Sequence, residues 1–210
     1  MIKHLCVFGI LKTDLGLTIK NEMLQWLSQY YEVLCIEQEP PGVLFEYPAI
    51  NATLKLAIQL NEPVLYIHTK GAANKNAICP FQYQMHSSIN LPKNATVDDT
   101  QVVVRQMWQV EFTKNIQKYF DAVNNDKPTV ACPYTGKEKI TWQNAWIINP
   151  AAAKELQKTF HLDKNRYYYE TMFVNTNIDV IGIVSNKCDN IAPHKELWDS
   201  IWTYLKKNKM

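Results

Sequence analysis

Short apolar runs alternate with amphipathic stripes along the first third of the chain. Apolar runs bounded by turn residues predict buried strands at residues 4–11, 31–39 and 64–68. Apolar side chains at helical spacing predict amphipathic helices over residues 18–31 and 46–61. The order β-α-β-α-β with short crossovers favours a parallel sheet with helices packed against it.

The pattern is less regular after residue 71, and periodicity fails until about residue 101. A loop of about 30 residues is uncommon inside a compact domain and is more often functional than idle. The later segments with helical or strand periodicity are residues 102–124 (helix), 129–134 (strand), 139–149 (strand), 166–174 (helix), 179–185 (strand) and 194–207 (helix). Asn149 followed by Pro150 marks a further helix start. We therefore predict one α/β domain over residues 1–210, with a Rossmann-like, mixed but mostly parallel sheet and helices on both faces.

Composition narrows the class of protein. The net charge is +2 and the basic residues are dispersed, which argues against a nucleic-acid binder. Five cysteines lie far apart without a C-x-x-C pair, which argues against a disulfide framework or a zinc knuckle and indicates a reducing compartment. No apolar run is long enough for a signal peptide or a membrane span. We predict a cytoplasmic protein, and the basic C-terminal LKKNKM leaves open a peripheral contact with the inner face of the membrane.

The glycine pattern excludes the common phosphate-binding loops. The chain has six glycines and no two of them are close, so neither G-x-G-x-x-G nor a P-loop can form. G-x-S-x-G, the nucleophile elbow of hydrolases, is also absent. If phosphates bind, side chains or a metal must hold them. The sequence also lacks an Asp-x-Asp pair, so the use of a divalent metal such as Mn²⁺ or Mg²⁺ stays open.

The densest cluster of candidate chemistry follows the third predicted strand, where His68, Thr69, Lys70 and Gly71 stand in a row. Ligands of open α/β sheets bind outside the carboxyl ends of the strands. Lys70 can neutralise a phosphate, His68 can donate to one, ligate a metal or act as a base, and Gly71 allows close backbone approach. The alternative is structural: a histidine capping a strand, a solvated lysine and a turn glycine.

Two acidic residues are further candidates. Glu37, at the end of the second predicted strand, occupies the place of a ribose-binding acid in nucleotide-binding α/β folds, or is a solvated loop residue. Trp108 and Glu111 share a helical face with Asn115, which suits either a binding site or the core.

Two aromatic-rich segments follow. Trp142, Asn144 and Trp146 alternate along a predicted strand and so face one side, which suits a sugar or a base as well as it suits a core. Arg166 and Glu170 are i, i+4 neighbours on a predicted helix. Glu170 is then a general-base candidate and Arg166 a phosphate clamp, or the two form a surface ion pair.

As a set, LYIHTKG, W-x-x-E-F at 108–112, WQNAWIINP and RYYYE resemble a group of bacterial proteins found with polysaccharide-synthesis glycosyltransferases. These proteins are similar to GT-A glycosyltransferases, and the resemblance covers roughly residues 4–185. It implies a nucleotide-binding half over about 1–70 and an acceptor-side half over about 100–185, followed by a C-terminal helix at 190–210.

The resemblance also implies roles for individual residues. His68, Thr69, Lys70, Gly71 and Arg166 would hold the donor diphosphate, Glu37 the nucleoside, and Trp108, Glu111, Trp142, Asn144 and Trp146 the sugar or acceptor. Glu170, with His68, would carry the catalysis. The activity implied is transfer of a sugar from a nucleotide-sugar donor to a glycan or lipid-linked acceptor. The alternatives are a nucleotide-sugar or glycan binding protein without catalysis, and an assembly partner that uses Trp198 and Trp202 as its contact surface.

Overall fold

The computed structural model describes residues 3–39, 46–69, 97–141, 144–165 and 168–185. The strands of this part of the chain are β1 (His4–Leu11), β2 (Tyr31–Gln38), β3 (Val64–His68), β4 (Thr129–Tyr134), β5 (Trp146–Ile148) and β6 (Asp179–Ser185). The helices are α1 (Asp14–Tyr30), α2 (Tyr47–Leu60), α3 (Val97–Glu111), α4 (Ile116–Val123), α5 (Pro150–Gln157) and α6 (Tyr168–Thr171). No helix of these residues is both long and apolar enough to cross a bilayer.

The strands form one sheet in the order β2-β1-β3-β5-β4-β6. The pairs β1–β2, β1–β3 and β4–β6 are parallel, whereas β5 runs antiparallel to both β3 and β4. The predicted α/β class is confirmed, but the prediction of a mostly parallel sheet is corrected to a mixed sheet. The cause is the short connection from β4 to β5, because a parallel pairing needs a longer crossover, usually with a helix.

Helices cover both faces of the sheet, as predicted. Apolar side chains of α1, α3 and α4 pack on one face, and those of α2, α5 and α6 pack on the other. The predicted helix at 102–124 is in fact two helices, because residues 112–115 form turns. The helix predicted at 166–174 is limited, among the described residues, to α6, and the helix predicted at 194–207 lies outside them.

The carboxyl ends of β1 and β3 form a topological switch point. β1 lies between β2 and β3, and the helices that follow β1 and β2 pack on opposite faces of the sheet. The strand order therefore reverses between β1 and β3, and in open α/β sheets the ligand crevice lies outside the carboxyl ends of the strands at such a reversal. The Thr69 backbone N–H donates to the Gly9 carbonyl (2.9 Å), and the Leu11 N–H donates to Thr69 Oγ1 (3.1 Å). Thr69 therefore ties the two strand ends together.

Helix α1 starts directly against the end of β1. Thr13 is its N-cap, and the Thr13 Oγ1 atom accepts the Gly16 N–H at 2.9 Å. A Cβ atom on Gly16 would lie 1.9 Å from the Leu11 carbonyl oxygen. The close approach of helix and strand at this edge of the sheet therefore requires glycine at position 16.

Candidate functional site

His68 is the last residue of β3, as the sequence predicted, and it pairs with Gly9 near the carboxyl end of β1. Its ring lies nearly parallel to that of Tyr66, with centroids 6.0 Å apart, and 5.7 Å from that of Trp108. Its side chain is 13% exposed, so the imidazole is held among neighbours with one part open to solvent. Lys70 and Gly71 lie outside the described residues.

Glu46, the residue before α2, is the acidic partner of His68. Its Oε1 atom lies 3.5 Å from His68 Nδ1, and its side chain is 24% exposed. Sequence reasoning missed this residue, although a signal existed. A crossover helix between parallel strands begins at the carboxyl edge of the sheet. The residue before α2 therefore lies at the same edge as the end of β3.

Asn144 connects this acid to the second half of the chain. The side chain is fully buried; its Nδ2 group donates to Glu46 Oε2, and its Oδ1 atom accepts the Trp146 Nε1–H at 2.8 Å. An indole N–H can only donate and a carboxylate can only accept, which fixes the orientation of the amide. Glu46 is thereby held from one side by Asn144 and faces His68 on the other.

The predicted arrangement of the WQNAW segment on one strand is wrong. β5 begins only at Trp146, and Asn144 lies in the preceding loop with a left-handed φ of 53°. The alternation along a strand therefore does not apply, because a left-handed residue breaks the extended backbone. Asn144 and Trp146 still meet through their side chains, and Trp142 lies outside the described residues.

Tyr66 adds a buried phenol beside this network. Burial raises the pKa of the Tyr66 hydroxyl well above its ordinary value, and the negative charge of nearby Glu46 raises it further. The hydroxyl nevertheless makes no hydrogen bond of ordinary geometry with any described residue. Trp108 Nε1 is likewise buried without a hydrogen-bond partner in the described part of the chain. Two hydrogen-bond donors therefore lie buried beside the His68 ring.

The backbone of Glu170 is linked to Asn144 through Thr141. Its carbonyl oxygen accepts the Thr141 N–H (3.0 Å) and the Thr141 hydroxyl (3.3 Å), and the Thr141 carbonyl in turn accepts the Asn144 N–H (3.0 Å). The Glu170 side chain is half-buried in α6. Arg166 lies outside the described residues, so the predicted pair with Glu170 stays a prediction.

Glu37 lies at the end of β2, away from this network. Its Oε1 atom lies 2.5 Å from Lys20 Nζ on α1. This hydrogen bond lowers the pKa of Glu37 and raises that of Lys20. Glu37 is thus a residue of β2 paired with Lys20 and not the solvated loop residue of the alternative, and a role in nucleoside binding stays a prediction.

Glu111 and Trp108 fit the structural alternative as well. The Glu111 carboxylate is buried, with Oε1 accepting from Asn115 Nδ2 (2.8 Å) and Oε2 from the Tyr119 hydroxyl (2.5 Å). These bonds bridge the turn between α3 and α4. Trp108 is fully buried in the core on that face of the sheet, with its ring tilted by 49° to that of His68.

The described residues contain no group of three or more histidine, cysteine or acidic side chains that could hold a metal ion. The polar groups that they bring together are one carboxylate, one imidazole and one amide, with a phenol beside them. Such a set can accept and donate hydrogen bonds and can move a proton at the imidazole.

Comparison with known proteins does not assign the chain to a family. What the site binds is therefore inferred from its own geometry and from the motif resemblance to GT-A-like proteins. No protein-family model matches the chain, and neither the curated proteins nor the solved structures compared with it give a significant match.

Proposed function

We propose that the crevice between β1 and β3 binds a nucleotide-sugar and that the protein is a GT-A-like glycosyltransferase acting in polysaccharide synthesis. The sugar moves from the nucleotide donor to a glycan or lipid-linked acceptor. The observation that carries this proposal is the contact of Glu46, His68 and Asn144 at the switch point of the sheet. The motif resemblance supplies the class of reaction.

The location of the network supports a binding site. Open α/β sheets bind their ligands at the switch point, outside the carboxyl ends of the strands. Glu46 and His68 lie at this edge, at the start of α2 and the end of β3. Lys70 and Gly71 follow directly in the sequence, and their proposed role is to hold the diphosphate.

The chemistry of the network supports the same interpretation. Removing an acid and an imidazole from water is costly unless each is paired, and functional sites are where folds often hold such pairs. Here the fully buried side-chain amide of Asn144, a residue with a left-handed backbone conformation, donates to the Glu46 carboxylate. A site that develops charge during a reaction benefits from groups fixed in this way.

One feature of the sequence favours a second candidate, a nucleotide-sugar or glycan binding protein without turnover. GT-A enzymes normally place a metal-binding Asp-x-Asp near the position of the HTK motif, and this chain has none. Both candidates predict nucleotide binding at the crevice and differ only in whether a glycosyl product forms.

Thermal unfolding with UDP, GDP, CDP and TDP, each with and without Mn²⁺, tests the proposed site. A ligand at a hundredfold excess over its Kd adds about 2.7 kcal/mol, which raises the Tm of a chain of this size by about 5–10 °C. We expect such a shift with one nucleotide, and its loss in Lys70→Ala and in His68→Asn. The matched control is His161→Asn, since His161 is an exposed histidine on the loop after α5.

Each outcome separates the candidates. A nucleotide shift together with a labelled glycosyl product supports the glycosyltransferase, and a shift without product supports the binding protein. If no nucleotide shifts the Tm of the wild-type chain, the donor-site proposal is overturned and the assembly-partner alternative takes its place.

A further inference from the structure

We propose that Tyr47, Phe160 and Tyr168 form an aromatic surface that binds a sugar ring of the acceptor glycan. Phe160 packs beside both of the other rings. Its ring is tilted by 9° from that of Tyr47, with centroids 5.1 Å apart, and by 22° from that of Tyr168, with centroids 6.2 Å apart. That the bound glycan is an acceptor rests on the proposed function, whereas the binding of a saccharide is inferred from these residues themselves.

The aromatic surface is partly open to solvent. Its three side chains are partly exposed and pack against the buried core on the face of the sheet that α2, α5 and α6 cover. Tyr169, whose ring lies 6.3 Å from that of Phe160 and 5.2 Å from that of Tyr168, is fully buried and belongs to this core. Nearly parallel rings at such distances are offset, so each covers only part of its neighbour. Aromatic area is therefore left for a ligand.

Polar groups border the aromatic surface on the loop after α5. The Tyr168 hydroxyl lies 3.4 Å from His161 Nδ1, and the centroids of the two rings are 4.7 Å apart. On the other side of the imidazole, His161 Nε2 lies 3.5 Å from Asp163 Oδ2. The His161 and Asp163 side chains are 61% and 32% exposed, so an imidazole and a carboxylate are accessible beside the rings.

A sugar ring matches both parts of this surface. The C–H bonds on a pyranose face carry a partial positive charge, because each ring carbon is bonded to oxygen, and the faces of aromatic rings are negative. The hydroxyls at the rim of the sugar can donate to the Asp163 carboxylate and can exchange hydrogen bonds with the His161 imidazole. An apolar peptide or a lipid chain would match the rings alone. It would remove water from the carboxylate without offering a hydrogen bond in return, which is costly.

The aromatic surface lies beside Glu46. Tyr47 is the first residue of α2 and follows Glu46 directly. Burial raises the pKa of the Tyr169 hydroxyl, its hydrogen bond with the Asp163 backbone opposes this, and the negative charges of Asp163 and Glu46 add to the increase. Asp163, at the border of the surface, and Glu46 therefore act on the same buried tyrosine. A glycan on the aromatic surface would thus have one end near the proposed donor site, as an acceptor requires.

Titration of the ¹⁵N-labelled full chain with neutral oligosaccharides tests the aromatic surface directly. The probes are maltohexaose, cellohexaose and chitohexaose, which present α-linked and β-linked pyranose rings. We expect at least one of them to shift the backbone amide signals of Tyr47, Phe160, His161 and Tyr168. No shift with any of the three probes, or shifts confined to residues away from this surface, would overturn the proposal.

Three variants separate sugar stacking from core packing. Phe160→Leu keeps an apolar side chain but removes the ring, and it should raise the Kd for the saccharide by about 2- to 10-fold, the range for one aromatic contact. Phe160→Tyr keeps the ring and should bind as the wild type does. Asp163→Asn leaves the rings in place and should also raise the Kd, because a charged acceptor is lost. Wild-type affinity in both Phe160→Leu and Asp163→Asn would contradict the proposal.

The matched control is Phe120→Leu, which removes a ring stacked on that of His4, the first residue of β1, at the opposite edge of the sheet. This variant should bind the saccharide with wild-type affinity. The aromatic surface and the donor site can fail separately. If a saccharide binds but no nucleotide raises the Tm, the aromatic surface stands and the donor site is overturned. Nucleotide binding without saccharide binding overturns the aromatic surface alone.

Discussion

Asn144 shows how far the site depends on one side chain. It is fully buried, it has a φ of 53°, and it links Glu46 to Trp146 by two side-chain hydrogen bonds. Asparagine is one of the few residues that adopt this backbone conformation readily and can still donate and accept. The backbone and the hydrogen bonds are therefore two separable reasons for asparagine at this position.

Replacing Asn144 by glycine and by alanine separates these two reasons. Both variants lose the hydrogen bonds and leave a buried indole N–H unpaired, so both should lose about 1–3 kcal/mol of unfolding free energy. Alanine should lose about 1–2 kcal/mol more than glycine, because only alanine is strained at positive φ. Urea unfolding measures both values.

The control is Asn61, which ends α2 with a φ of 55° and is exposed. Asn61→Gly should be near neutral and Asn61→Ala should show only the backbone cost. Equal stabilities for the glycine and alanine variants at position 144 would contradict the assigned strain.

At the scale of elements, the contact between α1 and β1 lies at the carboxyl end of β1, beside the proposed site. Gly16 lies in the first turns of a 17-residue helix, where alanine would normally be the better residue. The Leu11 carbonyl oxygen occupies the space that a Cβ atom would need. The tertiary contact therefore overrides helix propensity at this position.

Gly16→Ala should consequently destabilise the chain, by about 2–4 kcal/mol at the upper end of single-substitution effects. Asn21→Ala, at an exposed position of the same helix, should be neutral or slightly stabilising because alanine has the higher propensity. Thermal or urea unfolding of the two variants gives the comparison. A Gly16→Ala variant as stable as wild type would mean that α1 does not approach β1 this closely.

The elements also show what sequence patterns can and cannot predict. β1, β3, β4 and β6 have the predicted bounds and β2 differs by one residue at its end, because apolar runs between turn signals define buried strands well. The break after Glu111 was missed because Phe112 and Ile116 continue the apolar stripe across it, and the bonds of Glu111 to Asn115 and Tyr119 that stabilise the turn leave no periodic signal.

The network of Glu46, His68 and Asn144 was predicted only in part, because one of its contacts also leaves no periodic signal in the sequence. His68 and Thr69 are visible because they follow a strand directly, whereas Glu46 meets Asn144 across a sequence separation of 98 residues. Such a contact depends on how β3 and β5 pair, and no local pattern encodes it.

At the scale of the whole molecule, the site joins the two halves of the chain. β3 and β5 pair antiparallel, with Tyr66 opposite Trp146 and their ring centroids 4.8 Å apart. The first half contributes Glu46 and His68, and the second contributes Asn144 and Trp146. This division is compatible with a donor-side and an acceptor-side half, which stays a prediction of the motif resemblance.

The most direct test of the central proposal is to locate nucleotide binding by ¹H–¹⁵N NMR of the backbone amides. Titration with the nucleoside diphosphate that raises the Tm should shift the amides of Gly9, Leu11, His68 and Thr69, at the carboxyl ends of β1 and β3. The amide chemical shifts of Tyr31, Val64 and Thr129, at the amino ends of their strands, should not change. Shifts confined to the amino ends, or no shifts with any of the four nucleotides, would contradict a donor site in the crevice.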